Sequence, residues 1–509
     1  MMARLLSLAR LVGVIMALTG APSAATELRA GTAVVDVTDP GAEKVHDPSM
    51  AKVLVLEQGG IRGVLVTIDV VAIGGIGPIG DGFLAELRTR LARDHGIPPE
   101  GVIVNASHCH AAVCRDVADR VVAAVAEAKQ RMVPVRAGAG TASETRISEN
   151  RRVDLVDGSQ ADMRRAYAMP ADGEIAATGP IDPQVGLLKL EALDGSPVAI
   201  VYLFACHPIM NPPRRGSSAD FPAVASRLIE GALGGGAVAF FVQGCGGDIN
   251  PVRYKEIDRP ADAEPLGSML GGTVLAGLRR IETSADAPLL LARELVQVPR
   301  GTDYAARIGR LEAERNLLVE GLSPTNIAFE QFLPRLVEQA IFPGDPGRSR
   351  QRTLHERALT ADRPDETVEH DRLLEGEVEA YLQNIASMER ITRLNVNLAL
   401  LKSHLARRDT AAQPALDAEI GGLRVGDFRL VTFPGDLVSE IGLGIKQAAG
   451  HPTAFVAGYT NGYLHYLPTA RQRANTGFAQ EDCDCLVAPE WEQVFRDGAA
   501  RMFSGLAGE

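Results

Sequence analysis

The sequence predicts a mixed α/β fold, with β-sheets flanked by helices and a mostly helical insertion at about residues 303–410. Three observations carry that expectation. Short apolar runs rich in Val, Ile and Leu recur and end in polar or glycine-rich loops, as strands do. Between several of them, apolar residues repeat at helical spacing. From about residue 303 the helical spacing dominates, until strand-like character resumes at Ile420.

Taken in order, Val34–Val37, Ala51–Leu56 and Gly63–Asp69 read as strands, the last two joined by Gln58-Gly59-Gly60-Ile61-Arg62, which suits a hairpin. Phe83, Leu84, Leu87 and Leu91 fall on one helical face. Val117–Met132 is a second, Ala- and Val-rich helix. Gly186–Leu193 and Val198–Phe204 flank the turn signal Asp194-Gly195-Ser196-Pro197. In the insertion, Ile308, Leu311 and Leu318, then Leu374, Val378, Tyr381, Leu382, Ile385 and Met388, keep a helical period. A loop containing Phe342–Gly347 and Arg348, Arg350 and Arg352 lies between them. Amphipathic helices usually serve burial, so these are expected to pack on the sheet, with a lid over a site as the alternative.

The chain has 509 residues, 64 acidic against 52 basic, and a net charge of −12. It has no Lys/Arg run, which disfavours nucleic acid as a partner. Residues 1–25 resemble a secretory signal: Arg4 and Arg10, an apolar stretch Leu11–Leu18, then Ser23-Ala24-Ala25. The stretch is shorter than the ~20 residues a membrane span needs. A mature domain over 26–509, secreted or periplasmic, is therefore expected. Six cysteines could form disulfides in such a compartment. Adjacent-but-one Cys483 and Cys485 would each pair elsewhere or stay unpaired. Cys109, Cys206 and Cys245 read first as small buried residues and second as disulfide partners.

Five polar motifs begin where an apolar run stops. They are Ser107-His108-Cys109-His110, Cys206-His207-Pro208, Gly244–Pro251, Phe433-Pro434-Gly435-Asp436 and Tyr459–Tyr466. Ligands of open α/β sheets bind beyond the carboxyl ends of strands, so five such ends point to one crevice. On an extended segment His108 and His110 share a face, and neutral imidazoles suit zinc. A histidine ending a buried strand, such as His207, is more often a hydrogen-bonded core residue. Asp436 after Pro434-Gly435 also fits a turn aspartate. The Gly244–Pro251 loop lacks the Gly-Lys-Ser/Thr of a phosphate cradle, and no Gly-x-Ser-x-Gly elbow occurs.

In this order the motifs resemble those of the neutral ceramidase family. Leu28–Thr38, Val45-His46-Asp47-Pro48 and Asn150-Arg151-Arg152 are similar as well. The resemblance covers roughly residues 28–300 and 420–480, and the chain leaves no room for the family's C-terminal immunoglobulin-like domain. It implies a zinc amidase that cleaves the N-acyl bond of ceramide. Zinc would be held by His108, His207, Asp436 and Tyr466, with His110 as acid/base and Arg151 as oxyanion stabiliser. The implied partner is a lipid or small-molecule amide, and a transient membrane-surface contact would suit a lipid substrate; nothing fixes the oligomeric state. Three positions depart from the family. Asp436 replaces a glutamate, shortening the ligand arm by one methylene. Asn250 replaces a serine, which excludes a serine acyl-enzyme there. Phe478 replaces a tyrosine, and losing one oxyanion donor can cost ~10²–10³ in rate. The same metal site acting on another amide or an ester, and an inactive binding homologue, are the alternatives.

Overall fold

A computed structural model describes residues 16–17, 26–163, 170–211, 216–252, 262–341, 364–410, 413–477 and 479–508. The rest of the expected leader, the loop expected at 342–352 and Phe478 lie outside the described residues. The contacts divide the chain into two compact units, Met1–Thr302 with Arg408–Glu509, and Asp303–Arg407.

The larger unit is built on two sheets. The first has eight strands: β1 (Arg29–Asp36), β2 (Met50–Gln58), β3 (Ile61–Ile68), β4 (Val102–Ala106), β5 (Val133–Ser143), β6 (Gln184–Ala192), β7 (Pro197–Phe204) and β8 (Val238–Gln243), in the order β8-β7-β6-β5-β1-β2-β3-β4. Between β2 and β3, Gln58 pairs with Ile61, and both linking residues, Gly59 and Gly60, have positive φ (58° and 90°). That two-residue loop needs left-handed backbone, which glycine adopts without steric cost. The second sheet orders Met16–Ala17, β9 (Leu289–Pro299), β10 (Ala415–Val425), β11 (Phe428–Thr432) and β12 (Ala454–Ala457). Most neighbours are antiparallel; β3 with β4, β7 with β8, and β11 with β12 run parallel.

Side chains alternate faces along each strand. Leu54, Leu65, Val201, Phe240, Leu430 and Phe455 meet between the two sheets. On the outer face of the large sheet, Val53, Val66 and Val104 pack on α1 (Phe83–His95) and α2 (Val117–Gln130). Farther along it, Tyr202 and Phe241 pack on α3 (Asp220–Leu233) and α4 (Glu264–Leu278). The outer face of the second sheet carries α8 (Ser439–Ala449) and α9 (Trp491–Ala507) through Ile420, Val431, Ile441, Trp491 and Phe495. Strands buried on both faces explain why the sequence shows continuous apolar runs rather than strict alternation.

The smaller unit contains α5 (Tyr304–Glu320), α6 (Phe329–Ile341) and most of α7 (Pro364–Thr410). Within it, Phe332 stacks on Tyr381 with centroids 4.4 Å apart, and Arg390 pairs with Glu314 at 2.6 Å.

Strand character resumes at Ala415, five residues before the expected Ile420. Glu419 is buried between Arg88 (2.6 Å) and Arg293 (2.6 Å), and its charge masks the strand pattern in the sequence. Cys109, Cys114, Cys206 and Cys245 are buried free thiols, which answers the disulfide alternative in favour of small buried residues.

Candidate metal centre

The five motifs follow β4, β7, β8, β11 and β12, one member from the first parallel pair and both from the other two. Short backbone bonds tie the loops together. Gly247 N–H donates to Leu437 O (2.8 Å), Tyr459 N–H to Gly435 O (3.0 Å), Ala106 N–H to Tyr459 O (3.1 Å) and Asp436 N–H to His465 O (3.0 Å).

His108 leaves β4 in left-handed conformation (φ 66°), its N–H on Val70 O at 3.0 Å. The H-x-H segment is therefore not extended, and the shared face expected for its two histidines is absent. His108 is buried, whereas His110 reaches solvent, their ring centroids 5.9 Å apart and nearly perpendicular. The His108 Nδ1 meets Val71 O at 2.6 Å, and the His207 Nδ1 meets Ile249 O at 3.0 Å. A carbonyl can only accept, so each Nδ1 carries a proton, and in the neutral ring Nε2 keeps its lone pair. Both Nε2 atoms lie 3.6 Å from one oxygen, Oδ2 of fully buried Asp436. The other oxygen, Oδ1, accepts a short hydrogen bond from the Tyr459 hydroxyl, and the Tyr463 hydroxyl lies 3.5 Å from Oδ2.

Burial drives the His108 pKa down to about 4 against the pull of Asp436, leaving a neutral imidazole at neutral pH. For Asp436, burial opposes ionisation but is outweighed by the two imidazoles and the Tyr459 hydroxyl, so its carboxyl stays below the ordinary range. His110 is also lowered, to about 4, first by the protein around it and then by His108; its exposure moderates that effect.

Two of the remaining predicted residues meet one another. Arg151 is buried, with Nε on Glu481 Oε1 (2.7 Å), Nη1 on Asn250 Oδ1 (2.8 Å), and Nη2 on Gly247 O and the Tyr466 hydroxyl (3.3 Å). The Tyr466 ring lies nearly parallel to that of His207, centroids 6.4 Å apart. Asp248 accepts the Ser439 N–H (2.7 Å) at the start of α8 and the Asn150 amide (3.0 Å), so it holds loops together. At Gly247 a Cβ would lie 2.7 Å from Asp436 O, so this loop can approach the carboxylate only as glycine.

Tyr459, Tyr463 and Asn461 were missed by residue-level reading, although all lie in the fifth motif. Asn461 accepts the Val104 N–H at Oδ1 (2.8 Å) and donates its own N–H to Val104 O (2.9 Å), its amide nitrogen reaching Glu419 (2.7 Å). Four of the five non-glycine residues with positive φ among the described residues are His108, Tyr459, Asn461 and His465; Asp220 is the fifth. Such strain gathers at functional sites, where surrounding contacts must hold it.

The triad His108, His207 and Asp436 offers ligand atoms that all lie within 4.8 Å of one another. Two imidazoles oriented through their Nδ1 atoms and a carboxylate form a donor set suited to zinc, with a carbonyl behind each histidine. The 3.6 Å spacings approach the ~3.4 Å between two ligands at zinc bond lengths across a tetrahedral angle.

No protein-family profile and no curated protein sequence matches the chain. Solved structures do. The chain is similar to the neutral ceramidase from Pseudomonas aeruginosa, at 18% identity and a TM-score of 0.57 over 94% of this chain and 75% of that one. It is also similar to a ceramidase complexed with C2, at 17% identity and a TM-score of 0.59 over 95% and 75%. Over nearly its whole length, the chain has the fold of the neutral ceramidases.

Proposed function

We propose that this chain is an exported, zinc-dependent hydrolase that cleaves an N-acyl amide, with a ceramide-like lipid as the substrate class. The observation that carries this reading is the convergence of the His108 and His207 Nε2 atoms on Asp436 Oδ2, at the strand ends of a ceramidase fold. His108, His207 and Asp436 would hold the metal, with the phenol of Tyr466 completing the set. When bound, zinc supplies a water acidified from ~15.7 to about 7 and a Lewis acid for the carbonyl.

The chain's own groups do the rest. His110, at the solvent edge, accepts the proton released in the attack and returns it to the departing nitrogen. Arg151 is fixed by Glu481, Asn250 and Gly247, so its charge acts on the developing oxyanion from a set position and through the Tyr466 hydroxyl it donates to. The basic, apolar leader over residues 1–25 supports export. Among the described residues no helix is long and apolar enough to cross a membrane.

The test pairs metal analysis of the purified protein with hydrolysis of N-acylsphingosines and of short N-acyl amides and esters. Stoichiometric zinc that is lost in His108→Ala and His207→Ala, with turnover of N-acylsphingosine, is the expected result. A metal-replete protein without zinc would end the mechanism. Turnover of only the short amides or esters would keep the centre and replace the substrate; Asp436, one methylene shorter than the family's glutamate, favours that second reading.

A further inference from the structure

A cavity of about 310 Å³ opens between α8 and α9, lined by Arg429, Ile445, His451, Arg496, Phe503 and Ser504. It lies at the opposite end of β11 from the metal centre: Arg429 is the strand's second residue, and Asp436 follows its last. The volume is at the lower end of the ~300–1,000 Å³ typical of small-molecule pockets.

Two arginines of this region differ in what occupies them. Arg424 is used by the fold: its Nε donates to Gly426 O and its Nη1 to Leu506 O and Ala507 O, each at 2.8 Å, capping the end of α9. Arg429 is not. Its backbone N–H meets Thr453 O (3.0 Å), but among the described residues its guanidinium makes no hydrogen bond or ion pair, and its Nε is buried without a partner. A solvated surface arginine would have that nitrogen in water; here it is shut away from water and unmatched, which is costly unless a ligand completes it. Arg496 lines the same cavity, tied to Glu492 at 2.8 Å. His451 is lowered first by burial and then by Arg429, and Arg424 likewise, with Asp427 opposing both, so the Arg429 charge is felt by both neighbours. Apart from Ser504 the rest of the wall is apolar, with Ile445, Phe503 and small alanines leaving the space open.

We propose that this cavity binds an amphiphilic anion: an oxyanion head, carboxylate or phosphate monoester, on one short apolar chain. The head pairs with Arg429, whose planar fork suits either oxyanion, and the chain lies against Ile445 and Phe503. The assignment stands independently of the metal centre.

Calorimetric titration of the full chain with octanoate and with octyl phosphate tests it, beside octanol, which lacks the charge, and acetate, which lacks the chain. Saturable binding of one or both anions, but of neither control, is expected, and the preferred head identifies the source as a fatty acid or a phosphate ester. Arg429→Gln should weaken it by roughly tenfold or more, the loss of one charge-assisted pair. Ala500→Phe, which fills the space without touching the charge, should also weaken it, and serves if Arg429→Gln fails to fold. Because oxyanions can also reach a metal, the titration is repeated on His108→Ala, where binding should persist. Absence of saturable binding overturns the proposal, as does binding that survives Arg429→Gln or vanishes in His108→Ala.

Discussion

At the scale of single residues, the candidate centre depends on which atom of each side chain is already engaged. The Tyr459 hydroxyl holds Oδ1 of Asp436 and so leaves Oδ2 turned toward both imidazoles. Tyr459→Phe should leave the fold intact while lowering zinc affinity about 10–100-fold, the usual cost of losing a partner behind a ligand, as measured by chelator competition. Gly247→Ala forces a methyl against Asp436 O and should destabilise by about 1–3 kcal/mol in urea titrations. The three triad residues were legible in the sequence because each follows an apolar strand. The pairing of His108 with His110 was misjudged, because a left-handed φ at His108 cannot be read from a side chain that ordinarily avoids it. Tyr459 was overlooked for the same reason: its role rests on a turn, and no periodicity marks it.

At the scale of elements, α9 shows how packing supports the second sheet behind Asp436. Trp491 is fully buried, its indole N–H on Pro468 O (2.8 Å), and Phe495 meets Phe433 with centroids 4.2 Å apart. Trp491→Ala should cost about 3–5 kcal/mol in chemical denaturation, whereas zinc content per folded molecule stays unchanged. Hairpins such as β2–β3 and β6–β7 were legible, since their turns carry glycine and aspartate at the required positions. Partners of the parallel strands were not. β7 pairs with β8 across α3, and β11 with β12 across α8, through contacts that no local pattern encodes.

At the scale of the molecule, two carboxyls, half-buried Asp69 and buried Asp220, set a pH dependence. Burial raises Asp69 and Asp220 to about 6, from the ordinary 3.8 of an aspartate. Between about pH 4 and 6 the folded chain keeps protons that the unfolded chain has released. Stability from these groups therefore falls as pH rises through that window and is level above it. Asp69→Asn, whose amide oxygen can still accept the Met50 N–H, should be more stable than the parent at pH 7 by up to about 3 kcal/mol and nearly equal to it at pH 4. Urea melts at the two pH values measure this. That helices flank the sheets was legible in the sequence; that two sheets stack face to face was not, because it is fixed by residues far apart in the chain, such as Leu54, Val201 and Phe455.

The loop that carries Asn461 has one more effect. β4 is the last strand of the large sheet, and its outward-facing amide and carbonyl at Val104 are both taken by Asn461, with Ala106 N–H taken by Tyr459. An open strand edge is a template on which another chain can add, and here the loop bearing the site residues is what occupies that template. Under the proposed function, substitutions that loosen the loop would thus be felt twice, as lost activity and as a tendency to aggregate by strand addition. The eight residues Tyr459–Tyr466 thus carry groups of the candidate site and the cover of a sheet edge together.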